Sequence, residues 1–166
     1  MDIHLLELGS GRSKQITNSL EGDFLPVWSQ DGKNISYMKP WKEGNRMMNV
    51  YIKSVDSDKE VRITNASERS LYGYFWVSDS RIAYIQDKGG DENYQLFGVN
   101  IDGSNTTDLT PYDNVKVMIL NELKEQKDFI ADSIRFVCVE SAQSTETISV
   151  IFTKIQILNL GHLAPP

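Results

Sequence analysis

The feature that most restricts how this chain folds is a repeat. Asp2 to Asn18 (DIHLLELGSGRSKQITN), Asn49 to Asn65 (NVYIKSVDSDKEVRITN) and Gln95 to Pro111 (QLFGVNIDGSNTTDLTP) each read as an apolar strand, a polar turn and a second strand ending in Ile-Thr or Leu-Thr. The anchors Ile16, Ile63 and Leu109 follow one another at intervals of 47 and 46 residues. Short strands recurring with a period in the forties are the pattern of β-propeller blades. A unit of that kind cannot bury its apolar faces alone, so each copy must pack on its neighbours.

A second set of matches lies between the first. Phe24 to Met38 (FLPVWSQDGKNISYM) and Tyr74 to Gln86 (YFWVSDSRIAYIQ) each place a Trp at the end of an apolar strand, then a Ser/Asp turn, then an alternating strand. Trp28 and Trp76 are 48 residues apart and Tyr37 and Tyr84 are 47 apart, so one repeat has four strands. The predicted strands are 24-28, 33-39, 48-54 and 60-64 in the first full unit, and 72-77, 81-86, 94-101 and 106-110 in the second. Asp31-Gly32 and Asp102-Gly103 are expected to supply the positive-φ positions of tight hairpins, both residue types tolerating that backbone. Trp28, Trp76, Tyr37 and Tyr84 read as inter-blade packing, since large flat side chains fill the wedge between neighbouring sheets.

The ends fit the same register incompletely. Residues 1-18 supply only the outer half of a blade. Val115 to Asn121 (VKVMILN) fits the first strand of a third full unit, and Asp128 to Ile130 is expected to start its second, 46 residues after Tyr84. Beyond about Ala131 no Gly-containing hairpin and no Leu-Thr ending follow where the period would place them. The expected fold is therefore all-β, an incomplete β-propeller of four-stranded antiparallel blades, with two full blades and a partial one at each end. Its blades are 1-18 (partial), 24-64, 72-110 and 115-130 (partial), and 131-166 is an out-of-pattern tail. A closed propeller needs about four to eight blades, so the chain reads as cut at both ends. A shifted reading frame, a truncation or a divergent blade would account for the tail.

Composition narrows the function. A formal charge of −6 and a pI near 4.9, without a Lys/Arg block, argue against a nucleic-acid or anionic-membrane partner. No apolar run approaches the roughly 18 to 20 residues of a membrane span, and the N-terminus lacks the basic and apolar regions of a signal peptide. The single cysteine, Cys138, reads as a small buried apolar residue. These features point to the cytoplasm. No HExxH or CxxC and no His/Cys pair at ligand spacing occurs, so neither a metal nor a cofactor is expected. Asp102 to Asn105 reads as a hairpin turn, because the twelve-residue calcium loop with its terminal Glu is missing.

PVWSQDGKNISYM, followed by an Ile-Thr ending, resembles the TolB-type propeller repeat, with Gln30 in place of a second proline. A sharper resemblance lies in YFWVSDSRIAYIQDKGGDENYQLFGVNIDGSNTTDLTPYDNVKV, beginning at Tyr74. It resembles the N-terminal propeller of the prolyl oligopeptidase family of serine peptidases, in its acylaminoacyl-peptidase and dipeptidyl-aminopeptidase-like branch. The IQDKGGDEN run is its most specific part, and the likeness extends over roughly residues 2 to 130. It implies a propeller that caps a separate α/β-hydrolase domain and admits peptides while excluding folded proteins. That hydrolase domain would carry a Ser in a Gly-x-Ser-x-Gly elbow, then Asp and His.

This chain holds no Gly-x-Ser-x-Gly, and its only histidines, His4 and His162, lack a plausible partner set. No catalytic residue is assigned, and the chain alone is expected to be inactive. Loops 40-47, 65-71 and 87-93 are expected to share one face, opposite the tight hairpins. In a complete enzyme that face would meet the hydrolase domain and the peptide substrate, with Asp91 and Glu92 near the substrate's cationic N-terminus. Two readings compete with this one: a stand-alone TolB-like module that binds a protein, and Asp91-Glu92 as an ordinary solvated loop. Exposed strand edges at the ends also favour self-association.

Overall fold

The computed structural model describes residues 1–40, 44, 46–111, 115–122, 135–141 and 147–152, and no helix occurs among them. Its strands are β1 (His4–Leu6), β2 (Ser13–Gln15), β3 (Phe24–Trp28), β4 (Asn34–Pro40), β5 (Met48–Ser54), β6 (Glu60–Arg62), β7 (Gly73–Ser78), β8 (Arg81–Gln86), β9 (Gln95–Asn100), β10 (Thr107–Asp108), β11 (Val115–Glu122), β12 (Arg135–Ser141) and β13 (Thr147–Phe152). They form a β1-β2 hairpin, two four-stranded sheets in the orders β3-β4-β5-β6 and β7-β8-β9-β10, and a three-stranded sheet β11-β12-β13. Every pairing is antiparallel. The chain is all-β, an incomplete propeller of four-stranded antiparallel blades.

The Ile-Thr and Leu-Thr endings have a specific task. Ile16, Ile63 and Leu109 donate their backbone N–H to the carbonyls of Ile3, Val50 and Leu96 at 2.8, 3.0 and 2.8 Å. The following threonines, Thr17, Thr64 and Thr110, accept the N–H of those same three residues at 2.9, 2.9 and 3.0 Å. A hydroxyl thus replaces a backbone carbonyl just past the end of the ladder. This handover explains why the outermost strands are shorter than expected: Glu60–Arg62 rather than 60-64, and Thr107–Asp108 rather than 106-110. Side chains at the start of the third strand continue the device. Asp2 accepts from Ser19 N–H at 3.0 Å, and 47 residues on, Asn49 accepts from Ala66 N–H at 2.6 Å and donates to its carbonyl at 3.0 Å.

The hairpin turns divide labour between Asp and Gly. In each Asp-Gly pair only the glycine takes positive φ, +70° at Gly32 and +84° at Gly103, with Asn105 adding +53° later in the second turn. The aspartates, expected to share that role, instead accept hydrogen bonds that close the turn. Asp31 Oδ1 takes the Ser29 hydroxyl at 2.7 Å and Lys33 N–H at 3.0 Å, while Asp102 Oδ1 takes Ser104 N–H at 2.9 Å. Consecutive blades are linked at this end, since Asp31 N–H donates to Asp79 Oδ1 at 2.9 Å.

The core lies in wedges between sheets rather than at one centre. Met38, Val50, Ile52, Ile63 and Leu71 of one unit meet Tyr74, Ile82, Tyr84 and Val99 of the next. Ile3 and Ile16 of the hairpin meet Ile35, Tyr37 and Tyr51, and Phe75, Ala83, Ile85 and Leu96 meet Val117. Stacked ring pairs recur with the blade, Tyr37–Tyr51 and Tyr84–Phe97. Trp76 donates its indole N–H to Val27 O at 3.3 Å and Tyr74 its hydroxyl to Leu25 O, so inner strands are joined across a wedge by polar tips on aromatic bodies. Trp28, at the equivalent place one unit earlier, is 48% exposed.

The strand expected to begin at 128–130 lies outside the described residues. The strand that pairs with β11 is Arg135–Ser141, and Thr147–Phe152 pairs with that in turn.

Candidate functional site

In the two four-stranded sheets, the connections from the second to the third strand and the link from one sheet to the other emerge at one end. Of loop 40–47, residues 41–43 and 45 lie outside the described residues. Its remaining part is joined to the next loop: Met48 N–H donates to Ser70 Oγ at 3.2 Å, and that hydroxyl donates to Arg46 O at 3.4 Å. The 65–71 loop is joined to the 87–94 loop. Gln86 Nε2 donates to Arg69 O at 3.3 Å, and Arg69 Nη2 donates to Asp87 Oδ2 at 3.4 Å. Three loops from two blades therefore converge.

Asp91 and Glu92 sit on the 87–94 loop, both exposed. Gly89, Gly90 and Glu92 take positive φ of 66°, 90° and 59°, which turns the chain sharply before Tyr94. Asp91 holds that turn: its Oδ1 accepts Asn93 N–H at 3.0 Å and its Oδ2 accepts Asn93 Nδ2 at 3.2 Å. These bonds, the backbone one foremost, hold its carboxyl below the usual range, so it is an anion at neutral pH. Glu92 makes no hydrogen bond or ion pair among the described residues, and its carboxylate projects from a backbone conformation unusual for a non-glycine residue. The structure thus divides the pair: Asp91 is engaged within its loop, and Glu92 has no hydrogen-bond partner among the described residues.

Sequence reading missed the groups around them. Arg69 and Asp87 are 18 residues apart on different loops, and no motif announces the pair. Asp87 has a side chain only 2% exposed, whereas Arg69 is 49% exposed. Tyr72 and Tyr94 pack ring to ring at 4.9 Å, with Tyr72 mostly open to solvent. Lys116 Nζ lies 5.8 Å from the Tyr94 ring centre. Among the described residues this end therefore offers an aromatic pair, the half-exposed Arg69 guanidinium, the exposed side chains of Arg46 and Lys88, and the exposed carboxylates of Glu68 and Glu92. Such a set can bind a small polar ligand by charge and ring contact; it contains no nucleophile paired with a base.

No protein-family model matches the chain. Over 86 residues it is 31% identical to dipeptidyl aminopeptidase BIII of Pseudoxanthomonas mexicana, a match taking in 51% of this chain and 12% of that protein. Among solved structures, a TolB-like protein from Agrobacterium tumefaciens matches with a TM-score of 0.55 at 19% identity, covering 92% of this chain and 58% of that one. TolB from Acinetobacter baumannii matches with a TM-score of 0.54 at 13% identity, covering 88% and 36%. The fold is that of a TolB-like propeller, and the sequence is similar to part of a dipeptidyl aminopeptidase.

Proposed function

We propose that these blades are the substrate-gating propeller portion of a serine peptidase of the prolyl oligopeptidase family, inactive without a hydrolase domain. The observation that carries this reading is the 31% identity to a stretch of a dipeptidyl aminopeptidase. The loop-bearing end supports it, since a ligand-sized set of charged and aromatic groups collects there. In this reading that end faces the hydrolase domain, and Glu92, with Asp91 shaping its loop, lies near the ammonium group of the substrate's N-terminus.

The coding region downstream of this chain tests it first. A Gly-x-Ser-x-Gly followed by Asp and His supports the peptidase. Their absence favours a stand-alone propeller that binds a protein partner, the reading for which the TolB-like fold speaks. In the encoded peptidase, Glu92→Gln should weaken the preference for free over acetylated N-termini, and an unchanged preference would remove Glu92 from the substrate site. Self-association through the outer edges of β1 and β13 is a further part of the proposal, checked by sedimentation over a range of concentrations.

A further inference from the structure

We propose that Arg69 is a carboxylate-reading residue of the loop-bearing end, so that the ligand taken there is a short peptide bearing a carboxylate as well as a free N-terminus. This rests on the reading of Asp91 and Glu92 given above, and adds a second charge requirement to it.

The Arg69 carbonyl is fixed by Gln86, and the side chain is tethered by one long contact to the nearly buried carboxylate of Asp87. It lies flat along Gly90. A Cβ built on that glycine would stand 3.4 Å from Cζ, 3.6 Å from Nε and 3.7 Å from Nη1. Those are ordinary van der Waals distances, so the guanidinium rests beside Gly90, whose φ of +90° favours glycine.

Of the five N–H donors of an arginine, Asp87 engages one among the described residues. The rest belong to a group half open to solvent and planar, the form that grips a carboxylate through two parallel hydrogen bonds. An arginine whose purpose is only to clamp two loops would gain by burying its head against Asp87. This one keeps its head at the surface. Gly90, against which it rests, directly precedes Asp91 and Glu92, so the Arg69 guanidinium and these two carboxylates lie at one loop junction, on a loop that also carries Asp87 and Lys88. A peptide with an ammonium at one end and a carboxylate further along matches that order of charges. The carboxylate can come from an acidic side chain or from the C-terminus.

The test is a set of titrations of the 166-residue chain, with the amide of Gly90 and the Nε–Hε of Arg69 followed by 15N NMR. Ala-Glu-amide carries only a side-chain carboxylate, Ala-Gln only a C-terminal one, and Ala-Gln-amide none. We expect one or both of the first two to move both signals and to bind at least tenfold more tightly than the third. Whichever binds identifies the source of the carboxylate. Arg69→Gln should abolish that difference, and Arg69→Lys should restore it only in part, since the charge remains but the fork is lost. Equal binding of all three peptides, no binding by any, or an unaltered difference in Arg69→Gln would overturn the proposal. Acetyl-Ala-Glu-amide separates the two readings. If it binds as tightly as the free peptide, the N-terminus role of Glu92 falls and that of Arg69 stands; if it fails while carboxylates make no difference, the reverse holds.

Discussion

The two wedges flanking the first four-stranded sheet are built on one backbone plan and both hold an apolar cluster, but the hairpin-side one adds buried charged groups to it. Asp23 N–H donates to Met1 O at 2.8 Å, and Val117 N–H donates to Tyr94 O at 2.8 Å, which marks residues 23 and 117 as equivalent, with Leu71 between them in the repeat. All three are buried, yet the first is an aspartate with no exposed surface and neither carboxylate oxygen in a well-formed hydrogen bond. Around it the hairpin-side wedge is also charged: Lys39 pairs with Glu60 at 2.6 Å, Tyr37 donates to Glu60, and Lys39 lies 4.4 Å over the Tyr51 ring. The wedge between the two four-stranded sheets has Leu71, Met38, Ile82 and Val99 instead. Blade geometry is therefore set by backbone and threonine handovers, and the filling is free to vary at an energetic cost.

The largest effect should come from transferring the polar choice to the apolar wedge. Leu71→Asp removes a buried side chain and leaves a carboxylate among aliphatic groups, and should cost at least about 3 kcal/mol. Urea unfolding measures this, and a loss under about 1 kcal/mol would show that the apolar wedge is not closed to water. Removing one handover should come next. Thr64→Val keeps the shape but leaves the Val50 N–H, now 2.9 Å from the hydroxyl, without an acceptor, for a loss of about 1–3 kcal/mol. If both wedges share one plan, Thr17→Val should behave alike through Ile3.

The converse exchange should stabilise. Asp23→Leu puts an aliphatic side chain where the other copies have Leu71 and Val117, and removes a buried unpaired carboxylate, for a gain of about 1–3 kcal/mol. A loss instead would mean that the carboxylate holds the hairpin against the sheet. The pH dependence has a definite sign. Burial pushes the Asp23 carboxyl above the usual range, against the pull of the Thr17 hydroxyl and the Lys39 ammonium. Below about pH 4 the group is protonated folded or unfolded and costs nothing. As pH rises from there through the raised folded value, the unfolded chain releases its proton first, so stability falls and then levels off. Asp23→Leu should erase that fall in a series of melting curves.

The repeat was legible because its markers do local work that sequence records: an Ile or Leu for the wedge, a Thr for the orphaned N–H, a Gly for the turn. Strand positions followed within a residue or two where those markers exist. Asp23 escaped notice because its meaning is relational, visible only when set beside Leu71 and Val117. Asp91 and Glu92 lie on the exposed loop the sequence indicates, but their different surroundings depend on Asn93 and on a φ of +59° that no pattern encodes. Arg69 and Asp87 meet only because three loops converge, each bent by its own turns. Past residue 122 the repeat markers are gone, so the pairing of Val115–Glu122 with Arg135–Ser141 could not be anticipated from the period.

The smallest expected effect separates the two carboxylates of the charged wedge. Burial pushes Glu60 upward, but the hydrogen bonds from Lys39 and Tyr37 outweigh it and hold its carboxyl below the usual range, the opposite direction to Asp23. A depressed carboxyl adds stability that is present at neutral pH and lost as pH falls through the folded value. Glu60→Gln keeps an acceptor for Tyr37 and removes only the charge facing Lys39. Both side chains are partly exposed, 18% for Lys39 and 31% for Glu60, so solvent screening limits the loss to about 0.5–1 kcal/mol near pH 7, shrinking in high salt. Melting curves of Glu60→Gln should lose this acid-side fall while keeping the rise on acidification that Asp23 produces. If Glu60→Gln instead alters the alkaline limb of that rise, the two carboxylates titrate as one unit, and the wedge is a single charge cluster rather than an ion pair beside a solitary buried aspartate.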